Sequence, residues 1–360
     1  MKKEYHKEKL QTIVLSNKGG MEVTVLNFGG VISSIKVPVK GKKVECVLGF
    51  DTFEEYVSEA YRKEYPYLGA IIGRNAGRIK YGKAIIDGKE IQLNCNLGEN
   101  QIHGGSVGFD SVFWDEVAVN RGDDNSSVTL QYVSKDGEEG YPGEVTVCVT
   151  YTLTSDNRLR IDYHGITDAP TILNLTQHTY FNLNESNTDV LNNTLQIKAD
   201  KYVPLEEGFF TPTGERPPVA GTRLDYRKGQ KVYAHTDNSF VREIAPEEVI
   251  ATLTNGEGSL AMEVRTNHPV LHIYAGYYLP ELQPPHRKTI GQSRGICFEA
   301  QGYADATKHP QFDNVVLRPK EEYNFFTEFK FIHLSKKEYK IDRSIKKESD
   351  IQTLFYAITI

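Results

Sequence analysis

Two ionisable side chains stand on stretches whose apolar residues alternate. His178 lies in TILNLTQHTYFNL, residues 171–183, among two asparagines, a glutamine and two aromatics, in a stretch that otherwise alternates like one half-buried sheet strand. Glu299 lies in GICFEAQGY, where Ile296, Phe298 and Ala300 share one strand face and Cys297, Glu299 and Gln301 the other. An imidazole with an ordinary pKa near ~6.5 and a carboxylate near ~4.3 can act as a proton donor and acceptor. Burial among aromatic neighbours would make the carboxylate a better base. Further candidates are Arg74 and Arg78 in GRNAGRI, His103 ahead of two glycines in NQIHGG, and Asp237 in AHTDNSF. Glycines at such a place let backbone approach a ligand closely. Each residue also has a structural reading. A strand histidine can donate to a backbone carbonyl, a strand glutamate can face solvent or an arginine, and Asp237 can make an Asx-turn. Glu299 with Asp237 could also be the paired carboxylates of a glycosidase. Spacing alone leaves these alternatives open.

One motif is set aside. Gly291-Gln292-Ser293-Arg294-Gly295 matches the GxSxG nucleophile elbow, and HGG at His103 resembles part of an oxyanion loop. The elbow works only where a strand turns into a helix. Here a strand pattern follows the serine, so Ser293 is expected in a loop.

The elements that must position these groups are strands. Val145, Val147, Val149, Tyr151 and Leu153 point one way and the intervening Thr146, Cys148, Thr150 and Thr152 the other. The same period recurs at Leu159, Ile161 and Tyr163, at Met262 and Val264, and over 270–274. Turn clusters such as TSDN and TNGEGS separate the runs. Helical signals are confined to a capping box of Asp51 and Glu54, opening one short turn in DTFEEYVSEAY, and to APEEVIAT. With no βαβ alternation, an all-β, large antiparallel β-sandwich with long loops is expected. Its body is assigned to residues 1–332, and residues 333–360 to a charged connector ending in an extra strand or docking segment.

The 42 basic and 48 acidic side chains leave a net charge of −6, which argues against a nucleic-acid or polybasic membrane role. No apolar run approaches the ~20 residues of a spanning helix, and MKKEYHKEKL lacks the apolar region of a signal peptide. Four scattered cysteines without CxxC spacing are expected as free thiols in the cytoplasm.

Taken in order, GGMEVTVLNFGGVISSIKVP, VECVLGFDTFEEY, GRNAGRI, NQIHGG, NLTQHTYFNL, GTRLDYRKG, TDNSFV and GICFEAQGYADATKHPQFDNVVLRPKEEY resemble the aldose 1-epimerase (galactose mutarotase) family, over roughly residues 10 to 332. The resemblance implies a large antiparallel supersandwich with an open, concave sugar site. It implies interconversion of the α and β anomers of a free aldose, galactose, glucose or similar, without cofactor or metal. By position, Glu299 corresponds to the general base and His178 to the general acid. His103, Asp237 and Arg78 correspond to sugar-binding groups, and His272 in LHIYAG stands where a glutamine commonly contacts the sugar. Asn174 and Asn182 are expected to hold the His178 ring. Gly77, Gln177, Ala304 and His272 depart from the usual pattern and bear on which sugar is preferred, while the acid and the base are both present. A non-catalytic carbohydrate-binding sandwich would instead have lost one of them. The chain is expected to act on a free monosaccharide as a monomer or homodimer, without nucleic acid or membrane.

Overall fold

A computed structural model describes residues 7–122 and 124–335. The expected residues 333–360 segment lies outside these beyond Ser335. Among the described residues the strands pair antiparallel into one nine-stranded sheet, one five-stranded sheet and one four-stranded sheet, with several two-stranded ribbons. The antiparallel β-sandwich is therefore as the alternation indicates. Val145–Thr154 alternates buried and half-buried along its whole length, and Arg158–Thr167 pairs beside it in continuous register.

The five-stranded sheet carries the chemistry. Its order is Tyr180–Phe181, Ile296–Gln301, Val270–Tyr274, Asp237–Val241 and Tyr202–Val203. One face turns Ile296, Phe298, Ala300, Leu271, Ile273 and Phe240 into the main apolar cluster, with Phe329, Met262 and Val264 of the large sheet. Burying side chains of this kind stabilises each by about 1.5–3 kcal/mol relative to exposure. The sheet is thereby clamped on one face and free to present polar residues on the other.

Three local expectations are corrected. The capping box sits one residue later, on Thr52 and Glu55, whose carboxylate accepts from the Thr52 backbone N–H at 3.1 Å and hydroxyl at 2.8 Å. It opens helix Phe53–Tyr56, which is followed by Glu59–Glu64. APEEVIAT forms a turn closed by the Glu248 N–H to the Ala245 carbonyl at 3.0 Å, and its end enters strand Ala251–Thr254. Sheet pairing with Leu260–Thr266 wins there over a weak local helical preference.

The third correction concerns residues 171–183. They do not form one half-buried strand. They divide into Thr171–Ile172, Thr176–Gln177 and Tyr180–Phe181, paired respectively with Val316–Leu317, Ile71–Ile72 and Ile296–Cys297. Every residue from Thr171 to Asn184 is buried, because the segment threads between sheets and has no solvent face. No helix among the described residues is long and apolar enough to cross a membrane.

Candidate active site

A cleft of about 660 Å³ opens on the polar face of the five-stranded sheet. Arg78, His103, His178, Asp237, His272 and Glu299, all singled out from sequence, line it together. Strand register explains most of this. Glu299 stands opposite His272, and His272 opposite Ser239 on the next strand, so three polar side chains run across the floor. Arg78 and His103 come from a ribbon in which Arg78 pairs with Ile102.

His178 lies between two of the short strands and is only 4% exposed. Its Nε2 is 3.6 Å from Glu299 Oε1, and Glu299 is itself 2% exposed. Its Nδ1 faces away, 3.5 Å from Cys297 Sγ. Burial, followed by the charge of Glu299, pushes the Cys297 thiol well up, so a neutral thiol backs the ring. Asn174 and Asn182 do not hold the imidazole. Asn174 accepts from the Gly302 N–H at 2.7 Å, while Asn182 donates to the Thr188 and Arg294 carbonyls at 2.8 and 2.7 Å. Both amides satisfy backbone groups of the segments packed around them, a more pressing need in a buried stretch than contact with a ring.

His103 is held neutral. Burial first, then the charges of His178, Arg78 and His272, bring its pKa well below the ordinary value. Its Nδ1 accepts the Gly77 N–H at 3.3 Å, which puts the ring proton on Nε2 as a donor. His103, His178 and Glu299 offer ligand atoms within 4.8 Å of one another. A His103 Nε2 that carries a proton is nevertheless the wrong tautomer to ligate a metal through that nitrogen.

Gly105 lines the cleft, and both glycines after His103 are also required by chain packing. A Cβ on Gly104, at φ +87°, would lie 1.9 Å from the Gly73 carbonyl oxygen, and one on Gly105 would lie 2.3 Å from the Glu139 carboxylate. Gly104→Ala is therefore expected to cost about 2–4 kcal/mol through strain and backbone displacement. The midpoint of urea unfolding measures this, and an unchanged midpoint would refute the packing role.

Arg74 and Arg78 separate sharply. Arg74 is buried and donates to Ser134, Lys135, Pro142 and Thr171. Arg78 lies over the Phe210 ring at 5.3 Å and lines the cleft. Ser293 sits in a loop at φ +52° ahead of a strand, as expected for a residue that is no nucleophile elbow. The described cysteines are free.

Tyr67 and Ser239 line the cleft without having been singled out from sequence. Tyr67 packs its ring 4.8 Å from His103 and 5.9 Å from His178. Nothing in its local sequence marks it. Ser239 had a signal, since it shares a strand face with Asp237 two residues before it.

A family model described as aldose 1-epimerase matches residues 11–330. Galactose mutarotase of Rattus norvegicus is 36% identical over 323 residues, covering 86% of this chain and 91% of the relative. Aldose 1-epimerase of Escherichia coli K12 is 33% identical over 337 residues, covering 89% and 94%. The crystal structure of galactose 1-epimerase from Lactobacillus acidophilus superposes with a TM-score of 0.80 at 30% identity, covering 93% of this chain and 98% of that one. The chain belongs to the aldose 1-epimerase family, and it is an isomerase.

Proposed function

We propose that this chain interconverts the α and β anomers of galactose, glucose or a closely related free aldose, with Glu299 as general base and His178 as general acid. The observation that carries the assignment is the 3.6 Å approach of His178 Nε2 to Glu299 Oε1 in the buried floor of the cleft. Ring opening needs a proton removed from the anomeric hydroxyl and another delivered to the ring oxygen. Both oxygens are bonded to one carbon, so donor and acceptor must stand side by side, as these two do.

Glu299 takes the hydroxyl proton, the C1–O bond to the ring oxygen breaks as the C1 carbonyl forms, and His178 protonates the departing oxygen. Rotation about C1–C2 presents the other face of the aldehyde. On closure His178 recovers its proton from the ring oxygen and Glu299 returns its own to the new hydroxyl, so the enzyme is restored. The Cys297 thiol behind His178 places no fixed negative charge on the ring, which supports a role as proton donor. Arg78, His103, Asp237 and His272 hold the sugar in this reading, without metal or cofactor.

A glycosidase pairing of Glu299 with Asp237 is not favoured. Asp237 Oδ1 is 3.0 Å from His272 Nε2 and is committed to that ring, while the group beside Glu299 is an imidazole. A binding-only sandwich is not favoured either, since acid and base are both present and juxtaposed. The catalytic unit is taken as residues 1–332, acting in the cytoplasm, with the remainder an appendage.

Polarimetry of freshly dissolved α-D-galactose and α-D-glucose tests the assignment. The wild-type chain should speed the approach to anomeric equilibrium, and His178→Ala should lower kcat by about 10²- to 10⁴-fold, the usual span for one positioned acid. A His178→Ala protein with full rate removes His178 from the mechanism. A wild-type protein that accelerates neither sugar, nor any other common aldose, overturns the proposed function.

A further inference from the structure

The cleft floor carries a hydrogen-bonded chain that proton transfer by Glu299 and His178 does not use. Ser239, His272 and Asp237 project from neighbouring strands. His272 Nδ1 lies 3.0 Å from Ser239 Oγ, and its Nε2 lies 3.0 Å from Asp237 Oδ1. An ionised carboxylate only accepts, so Nε2 carries a proton whether the ring is neutral or charged. The consequence of protonation therefore falls on Ser239. With a neutral ring, Nδ1 is a bare acceptor and Ser239 donates its O–H to it, leaving oxygen lone pairs for the cleft. With an imidazolium, Nδ1–H donates to Ser239 Oγ, and the hydroxyl proton is released toward the cleft.

We propose that proton uptake by His272 reverses Ser239 from acceptor to donor at the sugar-facing floor, making His272 the residue that couples sugar affinity to pH. The inference rests on the reading of the cleft as an aldose site.

The charged and titratable groups around His272 come from every side of the cleft. Asp237 and Glu299 flank it on the two adjacent strands, and Arg78 and His103 face it from the ribbon. His178 acts on the same Asp237 carboxylate. Burial opposes charge on His272, but the hydrogen bond to Asp237 and the charges of Asp237 and Glu299 prevail, holding it above its ordinary value. Burial likewise works to raise Asp237, but its bond to His272 outweighs this and the carboxyl sits below its usual range. The reversal consequently falls above pH ~6.5, the ordinary imidazole value.

A sugar hydroxyl both donates and accepts, and beside the acceptor-only Asp237 carboxylate it is engaged through its O–H. The neutral state offers it an acceptor at Ser239 and a carboxylate whose charge is not shared with a neighbouring cation. Affinity for a neutral aldose should therefore rise, and KM fall, as pH increases through the transition.

The test is KM and kcat for α-D-galactose from about pH 5.5 to 9, an interval spanning the ordinary imidazole pKa, for wild type, His272→Gln and Ser239→Ala. Wild-type KM is expected to fall about threefold to tenfold, the size of one hydrogen bond changing role. Both variants should lose that dependence, whatever their absolute KM. Imidazole ¹⁵N resonances should show His272 Nδ1 losing its proton at the midpoint of the KM change. A flat wild-type KM, or a His272→Gln protein that keeps the wild-type KM profile, overturns the proposal without bearing on the roles assigned to Glu299 and His178. Absence of turnover on any aldose would sink the functional reading separately. Calorimetric galactose affinity would then decide the coupling by the same comparison of wild type with His272→Gln.

Discussion

Glu299→Gln is expected to lower kcat for anomerisation by about 10³- to 10⁴-fold, with KM changed by less than about threefold. The substitution keeps the shape and most of the hydrogen-bonding capacity of the side chain and removes only its ability to take a proton. Glu299 is 2% exposed on a strand whose other face packs in the core, so a neutral isostere leaves the sheet undisturbed. The loss should therefore fall on kcat, the signature of an interaction made in the transition state. Polarimetry with α-D-galactose at saturating concentration measures it. Retention of more than about a tenth of the rate, far above the span expected for a lost base, would move that role elsewhere. Asp237 would be the first alternative, although His272 already occupies one of its oxygens. A double variant with His178→Ala should be barely slower than Glu299→Gln alone, because in the proposed mechanism the two groups act in one step, and the effects of such groups do not add.

Arg74→Met should destabilise the fold by about 3–5 kcal/mol. The guanidinium is 2% exposed and is spent on protein acceptors. Nε donates to Ser134 Oγ at 2.8 Å, and Nη1 to the Pro142 carbonyl at 3.0 Å and Thr171 Oγ1 at 3.2 Å. Nη2 donates to the Ser134 and Lys135 carbonyls at 3.0 and 2.8 Å. Methionine fills the volume but leaves these acceptors bare, and each buried, unsatisfied group costs about 1–3 kcal/mol. Urea unfolding monitored by tryptophan fluorescence reports the change, since Trp114 is fully buried. Arg78→Met is the control. Four residues along the same segment, it lines the cleft, and it should leave the unfolding midpoint nearly unchanged while raising KM. Equal destabilisation by both variants would contradict this division of labour.

The contrast between these arginines shows where sequence reasoning reaches its limit. GRNAGRI presents both, and composition does not tell a scaffold arginine from a cleft arginine; the family resemblance pointed to Arg78. The segment 171–183 is a similar case. Its alternation indicated one half-buried strand, yet it is three short pieces buried on every side, since periodicity records apolar spacing and not the number of sheets that supply partners. The helix expected in APEEVIAT was lost to strand pairing for the related reason that local propensity is weaker than a sheet neighbour. Asn174 and Asn182, expected beside His178, are instead spent on backbone groups that burial would otherwise leave unpaired.

By itself the sequence determined the all-β architecture and the face of the strand that carries Glu299. Period-two alternation and turn clusters are local properties of the chain, and they survive folding wherever one strand face meets the core. The ordered motifs added the family and the set of six polar residues. Only the tertiary structure decided which ring nitrogen of His178 meets Glu299, that a thiol backs that ring, and that Asp237, His272 and Ser239 form one chain. These facts depend on contacts between distant segments, across 119 residues for His178 with Cys297 and 35 for His272 with Asp237. Sheet register sets such contacts, and a shift of one residue would turn every side chain of a strand to its other face.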